Sequence, residues 1–381
     1  MVPAVKLVKL SPPEVRNSDI FQVSKAVRQR QLSQGSFLAQ FESSLSKVLG
    51  VQHVMTVSSC TTGLQLILSG LGLEPGDEVI VPNFTFPATI NTVIQERLQP
   101  VLVDINIETF CMDIESFRHA IGPKTKAVIV VHAFGYPAAM QEILDVVADS
   151  GIYVIEDAAC AIGSKIDGKA VGSFGTASAF SFHPRKVLTT GEGGAVVTND
   201  SSLAEKLKVL RSHGGVRGQS YMSFIMPGFN FRMSDINAAL GLAQLPRLSR
   251  VIKRRNSAAL QYQLLLSNFD TVTTPNVADG VQHTFQSYVV LLSPNLDRDK
   301  IIVFLRTKGI ETTLGTYALS EQPAYRESAK SPVDLDKSVF AFRHSLALPM
   351  SSTTTKRDRR RVVKALREAI ESQTSLTSPE N

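Results

Sequence analysis

Short runs of apolar, largely β-branched residues recur through the first half of the chain without alternating with polar ones. They are Val54-Met55-Thr56-Val57, Glu78-Val79-Ile80-Val81, Val101-Leu102-Val103, Ala127-Val128-Ile129-Val130-Val131 and Tyr153-Val154-Ile155, continued by Ala177 to Phe182 and Ala195 to Thr198. A strand buried on one face alternates, so continuous apolarity marks strands covered on both faces. The segments between them carry helical spacing. One opens at Thr61-Thr62-Gly63, holds Leu64, Leu66, Ile67, Leu68 and Leu71 on a broad apolar face, and is stopped by Glu74-Pro75-Gly76-Asp77. Pro-Gly breaks a helix and turns the chain into the next strand. A second helix is expected from Pro137 to Asp149, with Ile143, Val146 and Val147 inward. The pattern predicts an α/β fold, a mostly parallel sheet wrapped by helices.

From Ser234 to about Leu266 the spacing predicts a long helix leading out of the sheet region, with Pro246 as a kink. Beyond it the pattern changes to Tyr288-Val289-Val290-Leu291-Leu292 and a helix from Lys300 to Lys308. This gives a large domain over residues 1–245 and a smaller C-terminal α+β domain over 246–381. The polar tail from Ser372 to Asn381 reads as disordered.

Composition narrows the class. A chain of 381 residues that is 43% hydrophobic can bury a large core. The start Met1-Val2-Pro3-Ala4-Val5-Lys6 has no apolar stretch of signal-peptide type, and the longest apolar run, Ala127 to Phe134 interrupted by His132, is too short to span a bilayer. A cytoplasmic protein without a membrane partner is expected. Cys60, Cys111 and Cys160 are too far apart to form a disulfide framework or a close metal-ligand pair, so no metal is expected. The net charge of +6 is modest. Its one dense run, Lys356-Arg357-Asp358-Arg359-Arg360-Arg361, reads as a solvated helix face rather than a nucleic-acid contact, because no aromatic residues are interleaved with it.

The chemistry concentrates in Ile155-Glu156-Asp157-Ala158-Ala159-Cys160 and in Ser181-Phe182-His183-Pro184-Arg185-Lys186, the latter followed by Thr189-Thr190-Gly191-Glu192-Gly193-Gly194. A lysine that forms a Schiff base must shed its proton near neutral pH, while a pyridine cofactor needs a carboxylate to keep its ring nitrogen protonated. Lys186 and Asp157 fit those roles together, although a single lysine is ordinarily a solvated cation and a single aspartate a turn or cap. Both would reach the carboxyl ends of neighbouring strands, where active sites of open α/β sheets form. Val57-Ser58-Ser59-Cys60-Thr61-Thr62-Gly63 joins a strand to a helix start. That is either a phosphate cup or simply a capped helix. Ser181 would add a hydroxyl to the same phosphate. Phe86, in Pro82-Asn83-Phe84-Thr85-Phe86-Pro87-Ala88-Thr89, would stack on the ring or else belong to the core. Gly191-Glu192-Gly193-Gly194 lacks the spacing of a dinucleotide fingerprint or P-loop, which argues against a nucleotide-binding module of those types.

Taken in order, Ser59-Cys60-Thr61, Pro75-Gly76-Asp77-Glu78-Val79-Ile80-Val81-Pro82, Thr85-Phe86, Glu156-Asp157-Ala158-Ala159, the Lys186 segment and Gly191-Glu192-Gly193-Gly194 resemble the DegT/DnrJ/EryC1/StrS family of pyridoxal 5'-phosphate-dependent sugar aminotransferases. The likeness continues through Leu210-Arg211-Ser212-His213-Gly214, Gly228-Phe229-Asn230-Phe231-Arg232-Met233-Ser234-Asp235 and Gln322-Pro323-Ala324-Tyr325. It implies a fold-type-I, aspartate-aminotransferase-like architecture and a homodimer with shared active sites. By the same resemblance Lys186 is the Schiff-base lysine, Asp157 the ring-nitrogen partner, Phe86 the stacking aromatic, Ser181 a phosphate ligand beside Ser59, Cys60 and Thr61, and Asn230 a residue reaching the phosphate from the other subunit. Arg232 and His213 fall near the site, with a structural ion pair and a helix cap as their alternatives. Two departures stand out: Cys160 occupies a position close to the cofactor where many relatives carry Gln or His, and the segment Glu311 to Leu319 replaces a His-Tyr-Pro type of loop that shapes the substrate pocket.

The activity implied is transfer of an amino group from an amino acid, glutamate in the first place, to a nucleotide-activated keto sugar. The alternatives are a sugar dehydratase of the same fold, in which the lysine position is typically histidine, and a non-catalytic sensor, which loss of Lys186 or Asp157 would favour. Both residues are present.

Overall fold

A computed structural model describes residues 6–30 and 32–374. Its centre is a seven-stranded sheet in the order His53–Val57, Gly194–Thr198, Ala177–Ser181, Tyr153–Asp157, Thr125–Val131, Glu78–Pro82, Gln99–Val103. From Ala177–Ser181 outward to Gln99–Val103 every pairing is parallel, whereas Gly194–Thr198 and His53–Val57 attach antiparallel. The unbroken apolar runs thus become strands with both faces covered: Val79, Val81, Ile129 and Ile155 pack toward the helix Cys60–Leu71, and Ile80, Val128 and Val130 pack into the core on the opposite face. The outer strand Gln99–Val103 does not present an open edge. Leu102 N–H donates to the Lys330 carbonyl at 2.7 Å, Lys330 N–H donates to the Pro100 carbonyl at 3.1 Å, and Gln99 Nε2 donates to the Ser328 carbonyl at 2.8 Å.

A second, four-stranded sheet, in the order Val272–Thr273, Tyr288–Leu292, Ser345–Leu348, Thr313–Leu314, has its own core with the helices Arg298–Thr307 and Lys356–Thr374. The helix Leu248–Leu266 joins the two regions. Leu248, Val251 and Ile252 pack in the core of the first, and Ala259, Tyr262 and Leu266 in that of the second. The long helix expected from Ser234 is broken at Pro246, where a 3-10 turn, Leu245–Arg247, separates Asp235–Gln244 from Leu248–Leu266.

Three expectations need correction. The helix expected from Pro137 to Asp149 is confined to Met140–Val146, because His132 Nδ1 takes the Ala138 N–H at 3.0 Å and Phe134 sits at φ 55° in the preceding turn. Residues Ser372 to Thr374 belong to the last helix rather than to a disordered tail, with Gln373 bonded through its amide to both the N–H and carbonyl of Asp297 at 2.8 and 3.0 Å. The rest of the expected disordered tail, residues 375–381, lies outside the described residues. In the basic run, Arg359 turns inward and donates to Gln261 Oε1 at 2.6 Å, so that face is only partly solvated. Among the described residues no helix is long and apolar enough to cross a membrane.

Candidate active site

Asp157 pairs with Ala179 in parallel register, which brings the carboxyl ends of the strands Tyr153–Asp157 and Ala177–Ser181 side by side. A cleft of about 350 Å³ opens there. It is lined by Ser59, Cys60, Thr61, Phe86, Asp157, Cys160, Ser181 and Lys186, every residue assigned to the site from sequence except Asn230. Asn230 is exposed, accepts from Arg232 Nε at 2.9 Å, and is not part of this chain's cleft wall, nor are Arg232 and His213, the two residues expected near the site without an assigned role.

The two consecutive acids meet opposite fates, because neighbouring residues in a strand face opposite sides. Glu156 is fully buried, yet it accepts from His132 Nε2 at 3.0 Å and from the N–H groups of Gly172, Phe174 and Gly175 at 2.7, 2.9 and 2.8 Å. Burial alone would raise its pKa, but the His132 bond and these amides hold it below the ordinary carboxylate range. Asp157 is also buried, with weaker donors: Thr89 Oγ1 at 2.9 Å, the Ala159 N–H at 3.2 Å and the Cys60 thiol at 3.9 Å. Here burial wins over Thr89, Ala159 and the Lys186 charge, and the carboxyl is pushed above its usual range. A cation placed against it in the cleft would offset that burial and favour the ionised form, which is the role a protonated ring nitrogen offers.

The helix Cys60–Leu71 starts at the cleft floor. Its cap is reciprocal, with Ser59 Oγ accepting the Thr62 N–H and Thr62 Oγ1 accepting the Ser59 N–H, each at 3.1 Å. The segment is therefore a capped helix and a cleft wall at once. The strand beneath fits only through Gly194, where a Cβ would lie 2.7 Å from Cys60 N and 2.6 Å from the Phe180 carbonyl. The Cys60 thiol is pushed well up by burial and by the Asp157 charge, leaving it a neutral group. Phe86 is 62% exposed, so it is not a core aromatic, and its ring lies 6.5 Å from that of Tyr317. Tyr317–Ala318 pairs with Phe84–Thr85, which brings Thr313, Gly315 and Thr316 of the Glu311 to Leu319 segment into the cleft wall.

Lys186 Nζ lies 3.0 Å from Cys160 Sγ. Burial pulls the amine's pKa down, but the Cys160 contact and the Asp157 charge hold it above the ordinary lysine value. A Schiff-base lysine must shed its proton near neutrality, and Cys160 opposes that. Cys160→Ala removes the largest raising influence while the burial remains, so the amine's pKa should fall. The pH profile for its reaction with pyridoxal phosphate should move to lower pH, and an unchanged profile would deny Cys160 this influence.

Sequence reasoning missed several residues of the cleft. Thr89, in the helix Ala88–Gln95 behind the cleft wall, donates to Asp157 and stands 3.0 Å from Thr85 Oγ1, and nothing in its local sequence marks that role. His183, Arg185 and Glu192 lie within the motif segments around Lys186 and Gly191 but carry no role there, and His132 and Gln286 had no local signal. Burial lowers the pKa of His183, whose Nε2 is 3.9 Å from Glu192. His213 lies beyond the helix Ser201–Arg211, whose cap is Ser212, and Arg232 contacts Asn230 and, at 3.4 Å, His213 rather than a carboxylate among the described residues.

Residues 13–367 match the model of the DegT/DnrJ/EryC1/StrS aminotransferase family. The chain is 37% identical over 341 residues to GDP-perosamine synthase of Caulobacter vibrioides, covering 89% of this chain and 91% of that protein. Among solved structures it superposes on the aminotransferase TlmJ from Streptoalloteichus hindustanus with a TM-score of 0.92 at 29% identity, over 97% of this chain and all of that one (100%). It also superposes on Helicobacter pylori PseC, an aminotransferase involved in the biosynthesis of pseudoaminic acid, with a TM-score of 0.92 at 27% identity over 96% and 100% of the two chains.

Proposed function

The chain belongs to the DegT/DnrJ/EryC1/StrS aminotransferase family, whose members are pyridoxal phosphate-dependent and include sugar aminotransferases of fold type I, and from that premise we propose that it aminates a nucleotide-activated keto sugar with an amino-acid donor, glutamate in the first place. The observation that carries the reading is the convergence of an amine, an under-compensated buried carboxylate and a helix N-terminus on one cleft. When bound, pyridoxal phosphate supplies an electron sink, a protonated ring that draws electron density from the carbon bearing the amino group.

The chain's own groups suit the remaining work. Asp157 would hold the proton on the ring nitrogen through a charge-assisted bond, and Thr89 and the Ala159 amide keep its oxygens aimed. Lys186 Nζ would bind the cofactor, then carry the proton away from the donor's carbon. The first turn of Cys60–Leu71 and Ser181 would bind the phosphate, and Phe86 would cover the ring. Asn230 would complete the phosphate site of a second copy, which its exposed position outside this chain's cleft supports. The core of the second sheet, built almost entirely from residues after 257, supports a smaller domain over 246–381 beside a cofactor domain over 1–245.

A nucleotide's diphosphate needs cations at the cleft mouth, and Arg185 is an exposed residue of its wall. Binding energy from that remote group can orient the keto carbon. Single-turnover reaction of the aminated enzyme with nucleotide keto sugars should outpace that with pyruvate or oxaloacetate. Faster reaction of the simple keto acids would overturn the sugar reading and leave the cofactor chemistry standing.

A further inference from the structure

Gln286 belongs to none of the motifs that point to the cofactor, yet it grips the chain on both sides of Lys186. It is 5% exposed, lies just ahead of the strand Tyr288–Leu292 in the second sheet, and reaches the cleft wall. Its Oε1 accepts the Val187 N–H at 2.9 Å, and its Nε2 donates to the Arg185 carbonyl at 2.7 Å. Those two groups belong to the peptide planes that flank the Lys186 Cα. One side-chain amide therefore fixes both, and with them the φ and ψ of the lysine. The partners also settle the amide's orientation, because an N–H needs the oxygen and a carbonyl needs the NH₂ group.

The clamp is itself anchored. Buried Arg255 donates through Nη1 to the Phe285 and Gln286 carbonyls at 2.8 and 3.1 Å, and Ser11 Oγ donates to the Arg185 carbonyl at 2.9 Å. The lysine's own N–H is tied locally to the His183 carbonyl at 2.9 Å. A lysine stem has four rotatable bonds, so the reach of its amine is defined only as well as its Cα is held.

We infer that Gln286 is a positioning residue that sets where the Lys186 amine stands by clamping its backbone from the second sheet, an inference that rests on Lys186 being the reactive amine. It acts through Lys186, and its loss leaves the amine present and misplaced. Misplacing a reacting group by about 1 Å costs up to about 100-fold in rate. Gln286→Glu is the sharpest variant, since it keeps the shape and the acceptor for Val187 but sets an oxygen against the Arg185 carbonyl. Gln286→Asn falls one carbon short, and both variants carry the test if Gln286→Ala folds poorly.

The experiment compares the holoenzymes. Borohydride should still attach the cofactor to Lys186 in each. The kcat should fall by about 10-fold to 100-fold with little change in KM for the keto sugar, and the pH midpoint of the bound cofactor's visible absorbance should move by about half a unit or more. Attachment at Lys186 with wild-type kcat and midpoint, even with a lowered melting temperature, would overturn this inference alone. Attachment at another lysine of the wild-type protein would overturn the assignment of Lys186 and this inference with it.

Discussion

Lys186→Ala is expected to lose essentially all turnover, on the order of 10⁴-fold, because the variant removes both the amine that binds the cofactor and the base that moves the proton. The fold should survive the change. The lysine side chain's hydrogen-bond contact is with Cys160, and the backbone on either side stays fixed by His183 and Gln286. Peptide mapping after borohydride reduction of the wild-type holoenzyme decides the assignment, since one labelled peptide carrying Lys186 is expected. A label elsewhere, or undiminished turnover in the variant, would remove Lys186 from the mechanism.

Asp157→Asn is expected to lower kcat by about two orders of magnitude while the protein still folds and still binds the cofactor. A neutral amide cannot hold a pyridinium charge, and losing that charge-assisted bond in a buried site costs on the order of 3 kcal/mol of transition-state stabilisation. The shape is conserved, so the packing against Thr89 and Cys60 persists. Asp157 is already held above the usual carboxylate range by burial. Its ionised form therefore depends on a cation in the cleft more than an exposed aspartate's would. Steady-state kinetics of the variant at saturating donor and acceptor tests this, and an unchanged kcat would assign the carboxylate a structural role only.

The covered strands were legible because burial on both faces erases alternation, whereas the helix expected to run to Pro75-Gly76 ends earlier, at Leu71, on Gly72 in the left-handed region at φ 72°. The antiparallel attachment of His53–Val57 and Gly194–Thr198 was not legible, since a strand buried on both faces looks the same in either direction. The shortened helix Met140–Val146 turns on the left-handed Phe134 and on a side-chain bond from the Ala138 N–H to His132 six residues earlier, which no periodicity encodes. The cleft divides along the same line. Lys186, Asp157 and the Ser59 cap sit in compact segments with their own chemical pattern, whereas Gln286 reaches Lys186 from a distant part of the chain and resembles any polar residue before a strand. The inward turn of Arg359 was hidden for a related reason, because charge alone does not say which arginine has a buried acceptor waiting.

The hydrogen bonds that residues 328–331 make along the strand Gln99–Val103 have a consequence for how the protein behaves in concentrated solution. A bare outer strand is a template on which other chains can add. Here residues far along the same chain occupy that template, through the pairing of Val101 with Lys330 and the bonds to Pro100 and Leu102. The exposed ammonium of Lys330, 3.6 Å from Glu78, adds a charge at the same rim. Residues 328–331 thus act as a built-in guard against edge-to-edge strand pairing between molecules, so sequence changes there would register first as lost solubility during synthesis and purification, with the chemistry of each remaining folded molecule intact.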